Sequence, residues 1–172
     1  MARHCGGRGG SMTRERASTT AGMQPSQGHQ GQMTRPEVVA FFERRQIAYE
    51  SLDAAALAAD YADACIVDSP TGGTHTGRAS VERVLQAVFD AFLDMKTRTD
   101  SLLIDGNQVA QVLSIEGTNI GGFLGLSASG KPFRLAAVFL YELKDRQIVR
   151  ERRIYDFTGM LTQIGVLKTK PA

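Results

Sequence analysis

The stretch SVERVLQAVFDAFLDMKTRTDSLLIDGNQVAQVLSIEGT, residues 80–118, decides the fold, because its hydrophobic period changes partway along. In its first part Val81, Val84, Leu85, Val88, Phe89 and Phe92 recur at i, i+3, i+4, i+7, i+8 and i+11. That spacing puts one wide apolar stripe on a helix over about Ser80–Met95. After Met95 the period falls to that of strands. Thr97–Ile104 and Val109–Thr118 read as strands, and Asp105-Gly106 between them is a strong hairpin signal. A helix with one apolar stripe beside a hairpin calls for packing on a sheet face.

Reading outward toward the C-terminus, a Gly-rich crossing (Gly117, Gly121, Gly122, Gly125) leads to a turn at Ser129-Gly130-Lys131. Phe133–Leu143 and Ile148–Tyr155 read as two more strands, turning at Lys144-Asp145. A short helix over about Phe157–Ile164 ends near Gly165. Toward the N-terminus, Thr34 followed by Pro36 is a helix start, with Val38, Phe41, Phe42 and Arg45 at helical spacing. The Ala run of residues 54–59 favours a second short helix, about Asp53–Tyr61. Ala64–Asp68 is a short β-prone run stopped by Ser69-Pro70, and Thr71–Gly77 is turn chemistry. Segregated helices against an antiparallel sheet predict an α+β class.

The chain has 172 residues, a one-domain length, and its 42% hydrophobic content is ordinary for a globular protein. Its net charge is +2, of which residues 1–33 carry +3 (Arg3, Arg8, Arg14 and Arg16 against Glu15). The remainder is therefore near −1, which argues against a nucleic-acid surface. Residues 1–33 lack large aliphatic side chains and are expected to be a disordered tail. The domain is expected over 34–168, with 169–172 as a C-terminal tail. Cys5 and Cys65 form no disulfide framework, and no cysteine–histidine cluster has metal-ligand spacing, so neither metal nor cofactor is expected. No secretory signal or membrane-length apolar run is present, which makes the cytoplasm the expected compartment.

The order of elements, together with three stretches, resembles the SnoaL-like polyketide cyclase family of the nuclear-transport-factor-2-like superfamily. The first stretch is Gly117-Thr118-Asn119-Ile120-Gly121-Gly122-Phe123-Leu124-Gly125, where the family has Gly-Thr-His-x-Gly-x-Phe-x-Gly. The second is the hairpin Asp145-Arg146-Gln147-Ile148. The third is the closing Asp156-Phe157-Thr158-Gly159-Met160-Leu161-Thr162-Gln163-Ile164-Gly165. The resemblance covers about residues 34–168. It implies a curved antiparallel sheet wrapped into a cone on three N-terminal helices, with a short C-terminal helix. It further implies an apolar pocket for a small hydrophobic organic molecule, and homodimers paired through the outer sheet face.

The same resemblance shows departures. The position of the cyclases' catalytic Asp on the last strand is Arg153, which stays protonated and is no general base. The cyclases' pocket His matches Phe139, and the first-helix Tyr of ketosteroid isomerases falls in Glu43-Arg44-Arg45, where no Tyr stands. Asp68 lies within a residue of the isomerases' general base. Desolvation behind Ile66 and Val67 would raise its basicity; alternatively it caps the Ser69-Pro70 turn. Arg153 either faces inward, as an anion or carbonyl clamp partnered by Glu151 or Asp68, or belongs to a solvated charge run, Arg150–Arg153. Asn119, Phe139, Tyr141 and Tyr155 are candidate ligand contacts. Asn119 reads equally as a turn residue and Tyr141 as core, and His75 reads as an exposed loop residue near the pocket mouth. Two functions stay open: a cofactor-free acid–base enzyme of cyclase or isomerase type, and a binding or accessory protein that has lost the acid–base pair.

Overall fold

The computed structural model of the protein describes residues 32–168. Of the expected tails, 1–33 and 169–172, residues 1–31 and 169–172 lie outside the described residues. Four helices and six strands follow in the order α1 (Arg35–Glu50), α2 (Ala54–Ala59), β1 (Tyr61–Ser69), β2 (Gly73–Thr76), α3 (Arg78–Ala91), β3 (Lys96–Asp105), β4 (Gln108–Thr118), β5 (Pro132–Lys144), β6 (Gln147–Tyr155) and α4 (Phe157–Gln163). The strands form one curved, unclosed sheet in the order β2-β1-β6-β5-β4-β3. This is the α+β class expected.

Local chemistry sets the ends of the helices. The Thr34 N–H donates to the Glu37 carboxylate at 2.8 Å, and Pro36 sits in the first turn of α1. The Asp53 side chain accepts from the Ala56 N–H at the start of α2, and Asp156 accepts from Gly159 at the start of α4. Met33, assigned to the tail from composition, is buried in the core, so the packed body begins before Thr34.

Two differences from the sequence reading concern the sheet. The Thr71–Gly77 segment holds a short strand, β2, paired antiparallel with the end of β1 through Val67–His75 and Asp68–Thr74. Four residues opening on a glycine carry too weak a period to announce a strand. Strand β1 also runs parallel to β6, whereas β3 to β6 form the expected antiparallel meander. A strand separated from its neighbour by most of the domain is free to join it in either direction.

Helix α3 lays Val81, Leu85 and Phe89 on the concave face of the sheet. Phe92, just past its end, packs against Phe123 and Phe133 at centroid distances of 5.1 and 4.9 Å. The Gly-rich crossing returns to this helix end, where the N–H groups of Ile120 and Gly121 both donate to the Ala91 carbonyl. A Cβ at Gly121 would lie 2.0 Å from the Asp90 carbonyl oxygen, so only glycine permits this approach. The crossing is thereby pinned so that Phe123 turns inward.

Candidate functional site

The concave face of the sheet, α3 and α1 enclose a cavity of about 80 Å³. That is room for roughly five to eight waters, or one substituted ring. Its wall is mostly apolar: Phe89, Phe92, Phe123, Phe133 and Phe139, with aliphatic and methionine side chains between them. Five polar side chains interrupt it, namely Tyr49, Thr71, Thr97, Arg153 and Tyr155.

Arg153 reaches the wall because of an irregularity in β6. Opposite β5, Glu142 pairs with Arg150 and Leu143 with Ile148, which leaves Val149 as an extra residue. Strict alternation from the buried Ile148 would turn Arg150 and Arg152 inward. The bulge reverses the parity, so Glu151, Arg153 and Tyr155 face the cone while Arg150, Arg152 and Ile154 face out.

Glu151 is fully buried, and the Arg153 side chain is 9% exposed. The Arg153 Nε–H donates to Glu151 Oε1 at 2.8 Å and Nη2 to Oε2 at 3.3 Å. Its guanidinium also lies 5.2 Å from the Phe139 ring centroid. Burial alone would lower the Arg153 pKa. The adjacent carboxylate outweighs burial and holds it well above its usual value. Among the described residues, Nη1 has no hydrogen-bond partner.

A polar chain backs this pair. The Tyr61 hydroxyl donates to Glu151, Arg45 Nη2 donates to Tyr61 at 3.3 Å, and Arg45 Nη1 donates to the Leu57 carbonyl and the Asp60 carboxylate at 3.2 and 3.0 Å. Asp60 is also paired with the exposed Arg44, so the connected cluster holds three guanidiniums and two carboxylates. Arg45 is itself buried within the rings of Phe41, Tyr61 and Tyr141. Tyr49, also on α1, lines the cavity with a buried hydroxyl that makes no hydrogen bond among the described residues, although the Arg45 guanidinium lies close. Burial pushes the Tyr49 phenol above its ordinary pKa, so it stays a donor. Thr97, on β3, has a second buried, unpartnered hydroxyl in the same wall.

The structure corrects the reading of Asp68. Its side chain lies on the outer face of β1, accepting from Thr74 Oγ1 at 2.9 Å and from Arg150 at 3.3 Å. Those partners, Thr74 first, hold its carboxyl below the usual value rather than above it. A group that points away from the cavity with a depressed pKa is not placed as its base. Asn119 and Tyr141 are corrected too. Asn119 is buried behind the turn at residues 129–131, its Nδ2 donating to Ser129 Oγ at 3.2 Å, and does not line the cavity. Tyr141 packs on Phe42, and its hydroxyl donates to Gln111 at 3.0 Å. Phe139, Tyr155 and Arg153 do line the cavity; the Tyr155 hydroxyl lies 2.7 Å from Thr71 Oγ1. His75 sits on β2, outside the lining.

Tyr49 and Thr97 were not singled out from sequence. Tyr49 continues the α1 stripe Val38, Phe42, Arg45 at the next helical step, and that spacing was the available signal. Thr97 opens a strand whose facing residues are mixed, and nothing in its neighbourhood marked it.

An unclosed curved sheet with helices over its concave face and an apolar cavity between them defines the nuclear-transport-factor-2-like cone class. The chain belongs to the SnoaL-like polyketide cyclase family, which matches residues 39–164. Among solved structures, TsrD from Streptomyces laurentii superposes with a TM-score of 0.70 at 20% identity, covering 78% of this chain and 99% of that one. A putative SnoaL-like polyketide cyclase from Jannaschia Sp. CCS1 gives 0.66 at 17% identity, covering 76% and 94%. IdmH, a putative polyketide cyclase from Streptomyces antibioticus, gives 0.62 at 24% identity, covering 77% and 99%. No curated protein matches the sequence. Among the described residues no helix is long and apolar enough to cross a membrane.

Proposed function

We propose that the domain binds a small hydrophobic organic molecule in the cone and acts on it by cofactor-free, cyclase-type proton chemistry. The observation that carries this reading is Arg153, a guanidinium beside the Phe139 ring with one nitrogen left without a partner among the described residues. An arginine there costs desolvation, which its fixed geometry beside Glu151 offsets. The described lining holds no carboxylate. The reading therefore assigns the cavity electrophilic catalysis: once hydroxide from solvent has taken the carbon-bound proton as water, Arg153 and the Tyr49 hydroxyl steady the negative charge developing on a substrate oxygen, as in ring closure through an enolate. Tyr155, hydrogen-bonded to Thr71, supplies a hydroxyl through which a proton can pass.

Arg153→Lys tests this, since lysine keeps a cation beside Glu151 but loses the forked donor set. Against steroid, polyketide and epoxide panels, turnover by the wild type is expected to fall about 10²–10³-fold in the variant. Unaltered turnover in Arg153→Lys removes Arg153 from the chemistry. A ligand that binds tightly and always returns unchanged favours the binding role instead.

A homodimer in the cytoplasm is part of the same reading. The outer sheet face carries the exposed apolar side chains Ile66, Leu103, Leu140 and Ile154, an area that pairing would cover. Light scattering at tens of micromolar, returning a dimer mass, is the expected outcome.

A further inference from the structure

A chain of side chains links the surface of α1 to the cavity wall, alternating in charge and with one neutral member. The exposed Arg44 pairs with Asp60, which also accepts from the buried Arg45. Arg45 Nη2 donates to the Tyr61 hydroxyl at 3.3 Å, that hydroxyl donates to Glu151, and Glu151 holds Arg153. Tyr61, the neutral member, opens β1 directly after Asp60, and its ring lies 5.2 Å from the Arg45 guanidinium. It is fully buried. The bonds on Glu151 are uneven. Oε1 accepts from Arg153 Nε at 2.8 Å, whereas Oε2 is shared between the Tyr61 hydroxyl and Arg153 Nη2, and Nη2 stands off at 3.3 Å. A carboxylate oxygen that already accepts one strong charge-assisted bond offers less to a second donor.

We propose that Tyr61 is a positioning residue for the cavity: its hydroxyl, wedged between Arg45 and Glu151, keeps Glu151 Oε2 from closing on Arg153 Nη2, so that the guanidinium retains donor strength for a ligand oxygen. This rests on the cone being the ligand site proposed above, and it deepens that reading by a residue that does not line the cavity. Tyr61 acts through Glu151 alone. Without the hydroxyl, Glu151 would engage Arg153 as a full two-bond fork, and more of the guanidinium's charge would be held inside the protein. Arg45 reinforces the effect, because a cation on the far side of the hydroxyl polarises its O–H bond toward Glu151. The titratable groups facing Arg153 are Glu151 from β6, Tyr61 from β1 and Tyr49 from α1. Burial pushes both phenols above their usual range, so both stay protonated and remain donors.

The probe is 4-nitrophenol, a single substituted ring of the cavity's size whose phenolate absorbs visible light. Its ionisation is followed by absorbance against pH on the full chain at saturating protein. Bound to the wild type, it is expected to ionise at a lower pH than in free solution, since Arg153 favours the phenolate. Tyr61→Phe is expected to raise the midpoint of the bound probe above the wild-type value by about 0.5–1 pH unit, a loss of about three- to tenfold in its ionisation constant. A tyrosine that only filled space would weaken binding of phenol and phenolate alike and leave the midpoint in place. Asp60→Asn carries the test even where Tyr61→Phe fails to fold. It is expected to lower the midpoint, because Arg45, relieved of that carboxylate, pulls harder on the Tyr61 oxygen. An unmoved midpoint in folded Tyr61→Phe, or a midpoint that Asp60→Asn does not lower, overturns the inference alone and leaves the cone as the ligand site. A probe that does not bind the wild type, or that ionises there no more readily than in free solution, overturns the site reading and this inference together.

Discussion

Strand β6 presents an arginine–carboxylate pair on each face of the sheet, and the two differ in almost every physical respect. On the concave side Glu151 and Arg153 are 0% and 9% exposed and 2.8 Å apart. On the convex side Asp68 and Arg150 are 27% and 58% exposed and 3.3 Å apart. Both pairs lie where β1 and β6 run side by side. The outer pair is solvated and salt-screened, so it contributes little and constrains little. The inner pair sits where water cannot replace a lost partner, so a single charge there weighs heavily on the fold. The lesson is that the chemistry of this domain follows from which face a residue takes, more than from residue type.

Removing one inner partner should give the largest effect. Glu151→Ala strands Arg153 and leaves the Tyr61 hydroxyl without its acceptor. A loss of about 3–5 kcal/mol in urea unfolding is expected. The double variant Glu151→Leu/Arg153→Met removes both charges and should recover most of that stability, since apolar replacement of a buried pair is often neutral. A double variant as unstable as the single one would break the contrast, because the loss would then come from shape rather than stranded charge.

The next effect is an absence where the inner pair shows a large change. Asp68→Asn is expected to leave turnover unchanged and the unfolding midpoint within measurement error, with or without 1 M salt. The Arg153→Lys loss proposed above is the counterpart on the concave face. A collapse of turnover in Asp68→Asn would return the outer carboxylate to the mechanism and cancel the difference between the faces.

Most of the fold was legible in sequence because its signals are local. The α3 stripe, the Asp105-Gly106 hairpin, the turn at Lys144-Asp145 and the Thr34–Pro36 helix start each act over a few residues. The site was legible only in part. Arg153 and Glu151 are conspicuous in composition, but their face depends on the bulge at Val149, which shows only against the register of β5. Asp68 follows three apolar residues in a row, Cys65, Ile66 and Val67, so alternation permitted either face. The pairing with β6 buries Cys65 and Val67 and turns Ile66 and Asp68 out. Tyr49 was missed because the first-helix tyrosine was sought by alignment at residues 43–45, one turn before the helix delivers a ring to the cavity.

A third pair sets the far end of the comparison and gives the smallest expected effect. Glu37, at the start of α1, meets Arg146 of the β5–β6 turn at 2.7 Å, with 40% and 64% exposure. Its pKa is lowered from 4.5 to about 2, first by the Arg146 hydrogen bond and then by Thr34. A depressed carboxyl stabilises the fold above its unfolded pKa, and that contribution fades as pH falls toward the folded one. The window is therefore pH 4.5 down to about 2. Glu37→Gln should flatten the slope of unfolding midpoint against pH in that window and lower the midpoint near pH 7 by the same small amount, because solvent screens so exposed a pair. Adding salt should mimic the substitution, since it weakens the same attraction. A large loss at neutral pH would show that geometry alone, without burial, makes an ion pair of this domain strong, and the contrast between its two faces would then need another cause.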